Sequence, residues 1–324
     1  MIAPFPKPLP FGVPRPQPHP KRPPKGPRMT VCAGFKSSYG VVLCADSQET
    51  VGAMKFDAPK LVIRPQIGTR KDKVRMLFAG AGHGPFIDRL VTEMWRAATR
   101  GPSMEMEDVV GRIEDANIEW HRKIWQVFAQ KDRPTAHLLF AVYTPRRPVR
   151  LYRAIGPIIN EVEDYAFVGY GEELGSFLAK NFRPAFEQIE GDVSASLFIL
   201  ENVKKYVDSC GGDTQIAALM LDGSIQELRA YDAGQLSEGF SSIASTLYFL
   251  FGEAITLDGP ADFDDVAKRA IQEIRRTRAE LRKQIKGRIK VPRRLKKSTA
   301  ELYQRIEWPP VDSSAQSDTD QPNQ

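Results

Sequence analysis

The composition changes abruptly at residue 29, and that break limits where a fold can begin. Residues 1–28 hold eleven prolines, six Lys or Arg and no acid. Proline fixes φ and removes a backbone donor, so such a stretch favours extended polyproline-type conformations and cannot pack a core. We expect residues 1–28 to be a disordered leader, either a removed pro-segment or the product of a start codon assigned too early. Directly after it comes Met29-Thr30, and then "VCAGFKS" and "GVVLCADS", two short apolar runs around a Gly-containing turn that read as a β-hairpin.

Beyond this hairpin the pattern alternates in blocks. "KLVIRP" and "VRMLFAGAG" read as strands. Residues 84–100 and 106–130 have helical apolar spacing, with Pro85 suited to a first turn. Strands follow at 136–144, 149–156 and 159–169, helices at 172–182 and 194–209, and strands at 214–221 and 224–231. Helices grouped apart from antiparallel-looking strands predict an α+β layer fold rather than alternating βαβ units. A last helix is predicted over 262–289, with Val266, Ala270, Ile274, Leu281, Ile285 and Ile289 along one side. The end, "PPVDSSAQSDTDQPNQ", is polar and acidic and reads as disordered.

Several function classes are disfavoured by what the chain lacks. No apolar run approaches the roughly 18–20 residues that span a bilayer. The N-terminal segment has basic residues but no apolar h-region, so it does not read as a secretory signal. Cys32, Cys44 and Cys210 form no CxxC pair and the four histidines have no ligand spacing, which gives no metal site and suggests a reducing, cytoplasmic setting. No GxGxxG or Walker pattern marks a nucleotide, and no cofactor is expected. The net charge of +6 is local: 261–306 carries +9 and 307–324 carries −4, which with the +6 of the leader leaves −5 on 29–260. A basic flank can meet nucleic acid, a membrane or an acidic protein surface, or simply be a solvated helix face.

The chemistry points back to Thr30. A threonine hydroxyl is a poor nucleophile without a base. A first residue has one that other residues lack, its own α-amine, which titrates at about 7.7–8.0, near working pH. Loss of Met29 would create that group on Thr30.

With these residues the sequence resembles the opening of a proteasome β-type subunit and its bacterial relatives, N-terminal-nucleophile threonine hydrolases. "TVCAGFKSSYGVVLCADSQET", "APKLVI" and "LFAGAGHGPF" carry the resemblance, which covers about residues 30–230 and is strongest over 30–95. It implies a four-layer αββα sandwich over 29–260; residues 261–306 lie outside the resemblance and read from their own pattern as an added basic helical extension. It also implies roles. Thr30 matches the nucleophile, and Asp46, sixteen residues on, the motif aspartate. Lys60 matches the lysine that keeps the amine neutral, after a loop about two residues shorter. Thr50 matches a substrate contact, Gly80 the oxyanion donor, and Asp208 an aspartate hydrogen-bonded near the nucleophile. Tyr170 and Gly211 stand where the family has serines that support the amine.

The activity so implied is a self-compartmentalising threonine endopeptidase acting on peptides or unfolded proteins. Its implied partners are copies of itself in a homo-oligomeric ring and an ATPase or other regulator, with nucleic acid and membrane disfavoured. The alternative is a non-catalytic subunit or scaffold that binds through the basic tail. That tail, with its apolar stripe, is expected to lie on a neighbouring copy.

Overall fold

A computed structural model describes residues 30–51, 54–65, 74–145, 147–182, 189–255 and 263–290. The expected leader 1–28, Met29, residues 291–306 of the expected basic extension and the acidic 307–324 lie outside the described residues.

Two five-stranded sheets carry the fold, and every pairing in them is antiparallel. In the first, β1 (Val31–Ser37) and β2 (Gly40–Asp46) lie at the centre. They are flanked by β10 (Tyr165–Gly169) on one side and by β11 (Thr214–Met220) and β12 (Ile225–Leu228) on the other. The second runs β5 (Leu61–Arg64), β6 (Arg75–Gly82), β7 (Ala136–Thr144), β8 (Arg147–Ile155) and β9 (Ile158–Val162). A small hairpin, β3 (Gln48–Val51) with β4 (Met54–Asp57), projects from the end of β2.

The unbroken apolar runs of the central strands follow from burial on both faces. In β2, Leu43 and Ala45 face a cluster shared with Leu77, Ala79, Leu139 and Leu151 of the second sheet. Val42 and Cys44 instead join Leu197, Leu200 and Val203. These belong to α4 (Ile189–Tyr206), which packs on the first sheet after α3 (Glu172–Phe182). In β6 and β7, Phe78 and Phe140 point the other way, onto α1 (Gly84–Thr99) and α2 (Met106–Val127), among Leu90, Met94 and Ile113. The close approach of β11 to the start of β2 needs glycine there: at Gly40, φ is +151°, and a Cβ would lie 2.2 Å from the Leu219 carbonyl oxygen. The mixed α/β composition and antiparallel pairing agree with the α+β expectation.

Two elements differ from the sequence reading. The apolar stretch 159–169 reads as one strand but is two, because the chain breaks at Glu163-Asp164 and crosses from the second sheet to the first. The Asp164 carbonyl there accepts from the Lys36 amide at 2.8 Å, which ties the crossing to the β1 end. Residues after 231 gave no pattern, yet Ala230–Ile255 form a helix of 26 residues, α5.

The final helix, α6 (Phe263–Arg288), forms as expected, but its apolar stripe does not wait for a neighbour. Leu281, Ile285 and Ile289 are buried in the chain's own core beside α4 and α5. Gly239 of α5 admits Leu281, whose Cδ2 would be 2.6 Å from a Cβ there. Arg288 pairs with Asp232 at 3.0 Å, and Gln226 exchanges two hydrogen bonds of 2.6 Å with the Lys290 backbone. The end of α6 is thus part of the body. Leu281→Ala is expected to lower the stability of the chain by about 2–5 kcal/mol in urea unfolding; a loss well under about 1 kcal/mol would mean that α6 is not part of the core.

Candidate active site

Strand register explains how residues sixteen apart in sequence meet. Cys32 lies opposite Ala45 in the β1–β2 hairpin, so the last residue of β2, Asp46, falls beside Val31 and Thr30. Thr30 is held where it enters β1: its carbonyl accepts from the Tyr170 amide at 2.7 Å. Its side chain is almost wholly buried, with the residue 3 % exposed.

Asp46 has no exposed surface, and both of its oxygens are used. Oδ1 accepts from the Thr30 hydroxyl, from the Val31 amide at 3.2 Å and from Lys60 Nζ at 2.7 Å. Oδ2 accepts from the Gly211 amide at 3.0 Å. Lys60 stands just before β5 and is anchored there by its own amide and that of Leu61, which donate to Gln215 Oε1 at 2.9 and 3.2 Å. Its ammonium donates to Thr30 Oγ1, to Asp46 Oδ1 and to the Gln48 carbonyl. An ammonium has three donors, and all three are accounted for. The Thr30 hydroxyl therefore donates to a carboxylate and accepts from a cation, an arrangement that would stabilise negative charge developing on Oγ1.

Thr30 and Lys60 line a cleft of about 190 Å³. Gly80 lies on its wall, with Gln48, Glu49, Val62, Ile87 and Asp88. Thr50 lies in β3, paired in register with Lys55, and is not among the residues that line the cleft. Asp208 is not brought in by its carboxylate: the residue is exposed, and its backbone carbonyl accepts from Lys55 Nζ at 3.2 Å.

The two positions that depart from the resemblance act through their backbones. Tyr170, 62 % exposed, supplies the amide that holds Thr30, and Gly211 supplies the amide on Asp46. The Gln48 carboxamide fills the space that a side chain at 211 would take, lying 2.6 Å from a Cβ built there. Gln48 Nε2 donates to the Ser209 carbonyl at 3.3 Å, fixing that loop. Next to it, Gly212 has φ +71°, and its turn sits on Ser47, whose hydroxyl donates to Asp57 at 2.5 Å and accepts from the Asp213 amide at 2.6 Å. Gln48, Gln215 and the Gly211 amide are site components that sequence reading missed. Only the loop glycines hinted at them.

The three cysteines are buried, which disfavours their thiolate forms. Burial pushes the Cys32 thiol well above its ordinary range, against the pull of Lys60. Burial likewise pushes Cys44 to about 12. Cys210 is also pushed up to about 12, by burial first and then by the Asp46 charge.

No family model matches the chain, and no curated protein matches it by sequence. Solved structures do. The Anbu (Gly-1) mutant from Hyphomicrobium sp. strain MC1 is 14 % identical with TM-score 0.55, over 68 % of this chain and 96 % of its own. Anbu (ancestral beta-subunit) from Yersinia bercovieri is 13 % identical with TM-score 0.55, over 68 % and 97 %. Anbu of Pseudomonas aeruginosa, solved as a helical assembly, is 14 % identical with TM-score 0.57, over 72 % and 99 %. The chain thus shares its fold with Anbu proteins. This corrects the resemblance drawn from the sequence: the structures it is similar to are ancestral β-subunits at about one residue in seven, and a proteasome β-type subunit is not what they show.

Because each thiol titrates far above neutrality, the reactive thiolate is almost absent at pH 8. We expect Cys32, Cys44 and Cys210 to resist a thiol reagent such as DTNB in the folded protein at that pH, and all three to react after unfolding. Rapid native labelling of any of them would contradict the burial described.

Proposed function

We propose that the chain is a threonine peptidase of the N-terminal-nucleophile kind, with Thr30 as the attacking residue, built as a four-layer αββα sandwich. The observation that carries this reading is the buried contact of the Thr30 hydroxyl with both Asp46 and Lys60. The layer order is supported by three apolar clusters, one between the sheets and one on each outer face.

In this reading the bond between Met29 and Thr30 is broken and the freed α-amine takes the hydroxyl proton, directly or through one water. Oγ1 attacks the carbonyl carbon of the substrate peptide. The resulting oxyanion accepts a hydrogen bond from the Gly80 amide on the cleft wall. The protonated amine then gives its proton to the departing peptide nitrogen. Water, activated by the same amine, hydrolyses the ester left on Thr30 and restores the hydroxyl. Lys60 acts by charge: its ammonium favours the neutral form of the nearby amine and stabilises Oγ1 as it becomes negative. Asp46 offsets the cost of burying that ammonium. Thr50 and Gly80 are assigned to substrate contact. Asp208 is assigned to the loop that carries Cys210 and Gly211 rather than to proton transfer. The substrate is a peptide or an unfolded protein, and a cytoplasmic setting is in keeping with three unpaired buried thiols.

A second reading, a non-catalytic subunit, is favoured by one observation: the positions 170 and 211 offer only backbone amides, and the Asp208 carboxylate is exposed. The two readings separate by mutation. Thr30→Ala should abolish peptide hydrolysis with an unchanged circular dichroism spectrum. Thr30→Ser should keep part of it, since the amine and a hydroxyl remain. Lys60→Ala should lower the rate by at least about two orders of magnitude, the scale of losing one charge-stabilising donor. Hydrolysis that persists in Thr30→Ala would move the nucleophile elsewhere. No hydrolysis by wild-type protein that begins at Thr30 would favour the non-catalytic subunit.

A further inference from the structure

A polar side chain stands where the alternation of β11 demands an apolar one. Ile216, Ala218 and Met220 join the cluster on α4, and Ala217 and Leu219 join the cluster between the sheets. Gln215 shares the side of Ala217 and Leu219, so it faces the second sheet. Its carboxamide meets three backbone groups there. Oε1 accepts from the Lys60 amide at 2.9 Å and from the Leu61 amide at 3.2 Å, and Nε2 donates to the Ala58 carbonyl at 3.1 Å. An amide oxygen has two lone pairs, and both are taken.

Among the described residues β5 is an edge strand, with only β6 beside it. The outward amides of such a strand have no second strand to meet. Gln215 meets them in its place, and it does so from a particular position. Thr214, its neighbour in β11, lies opposite Asp46, and Gln215 lies opposite Ala45. The strand pair that carries Asp46 therefore also holds the backbone of Lys60. A lysine ammonium ends a flexible four-carbon stem. Thr30 Oγ1, Asp46 Oδ1 and the Gln48 carbonyl hold its head. One of these acceptors changes in the proposed reaction, because Oγ1 becomes an ester oxygen and accepts more weakly. A fixed root keeps the ammonium in place through that stage.

We infer that Gln215 is the positioning residue of Lys60, the side chain that sets where the ammonium stands relative to Thr30 Oγ1. The inference rests on the reading of Thr30 as nucleophile and adds to it a residue that touches neither substrate nor the reacting atoms. The cleft depends on Gln215 less than Lys60 does. Ala58, on the cleft wall, has a second hold, since its amide donates to the Ser47 carbonyl at 2.8 Å. The residue type matters. Leucine would leave all three backbone groups without this partner. Glutamate would keep both amide contacts, lose the donor to Ala58 and bring a negative charge beside the site. That charge favours the protonated form of the Thr30 α-amine. The reaction uses the neutral amine, so the acid limb of the rate profile moves to higher pH. A glutamine that served stability alone would give neither effect.

Two readouts on the purified chain test it together: hydrolysis of a fluorogenic peptide, and trace acylation of Lys60 by acetic anhydride followed by mass spectrometry. Gln215→Leu should lower kcat by at least about tenfold and change KM by less than about threefold, the pattern of a displaced catalytic group beside an intact cleft. Its Lys60 should be acylated severalfold faster than in wild type, where that side chain is 10 % exposed. Gln215→Glu should restore part of kcat and move the acid limb to higher pH. Should Gln215→Leu misfold, Gln215→Asn takes its place with the same expectations, being one methylene too short to meet both amides. Unchanged kcat and unchanged acylation of Lys60 in a folded Leu or Asn variant would overturn the inference, and so would an acid limb that stays in place in Gln215→Glu. If wild type that begins at Thr30 hydrolyses no peptide, the reading of Thr30 fails and acylation alone decides. Faster labelling of Lys60 in the variant then keeps Gln215 as its positioning residue, and equal labelling removes that role.

Discussion

The ion pair of Lys60 and Asp46 is the interaction on which the site depends. Both groups are nearly out of water, with side chains 10 % and 0 % exposed. Removing a carboxylate and an ammonium from water costs several kcal/mol each, and attraction alone offsets that only when the remaining hydrogen bonds are satisfied. Here they are satisfied by three separate segments: Thr30 and the Val31 amide at the start of β1, the Gln48 carbonyl at the start of the β3–β4 hairpin, and the Gly211 amide in the loop before β11. The pair therefore fixes where these segments lie. Thr30 receives its environment as a by-product of that requirement.

The rest of the fold serves the same geometry. Because β2 is buried on both faces, its register against β1 and β11 cannot slip by one residue without turning Asp46 away from Thr30. The β5–β6 pairing, Leu61 against Ala79, places Gly80 beside the end of Lys60 and so on the cleft wall. A protein interior that must hold an ion pair, a cleft and two sheets leaves wide freedom in which apolar residues are used. This is consistent with a fold shared with Anbu proteins at only 13–14 % identity.

The grouping of Thr30, Asp46 and Lys60 was implied by the resemblance, and the structure brings these three side chains together. The interval from Thr30 to Asp46 is that of two seven-residue strands and a tight turn, and Lys60 precedes an evident strand. Gly80, singled out through the resemblance in "AGAG", lies on the cleft wall. What was not legible is carried by groups without side-chain signatures, such as the Gly211 and Tyr170 amides and the Gln48 carbonyl. The β3–β4 hairpin is short and β4 is exposed throughout, so it has no alternation to read. Helix α5 was missed for the opposite reason: its far half is apolar with scattered Ser and Thr, so no polar face marks a period. The split of 159–169 into two strands was hidden because each half is short and the sheet change is decided by tertiary packing.

The central claim is that Thr30 acts as both nucleophile and base, which requires a free α-amine on that residue. N-terminal sequencing of the purified, peptide-hydrolysing protein, with its intact mass, tests this directly. The account predicts a chain that begins Thr30-Val31-Cys32. Active protein that retains Met29 and the residues before it would contradict the account, because Thr30 would then have an amide in place of the amine that the mechanism needs.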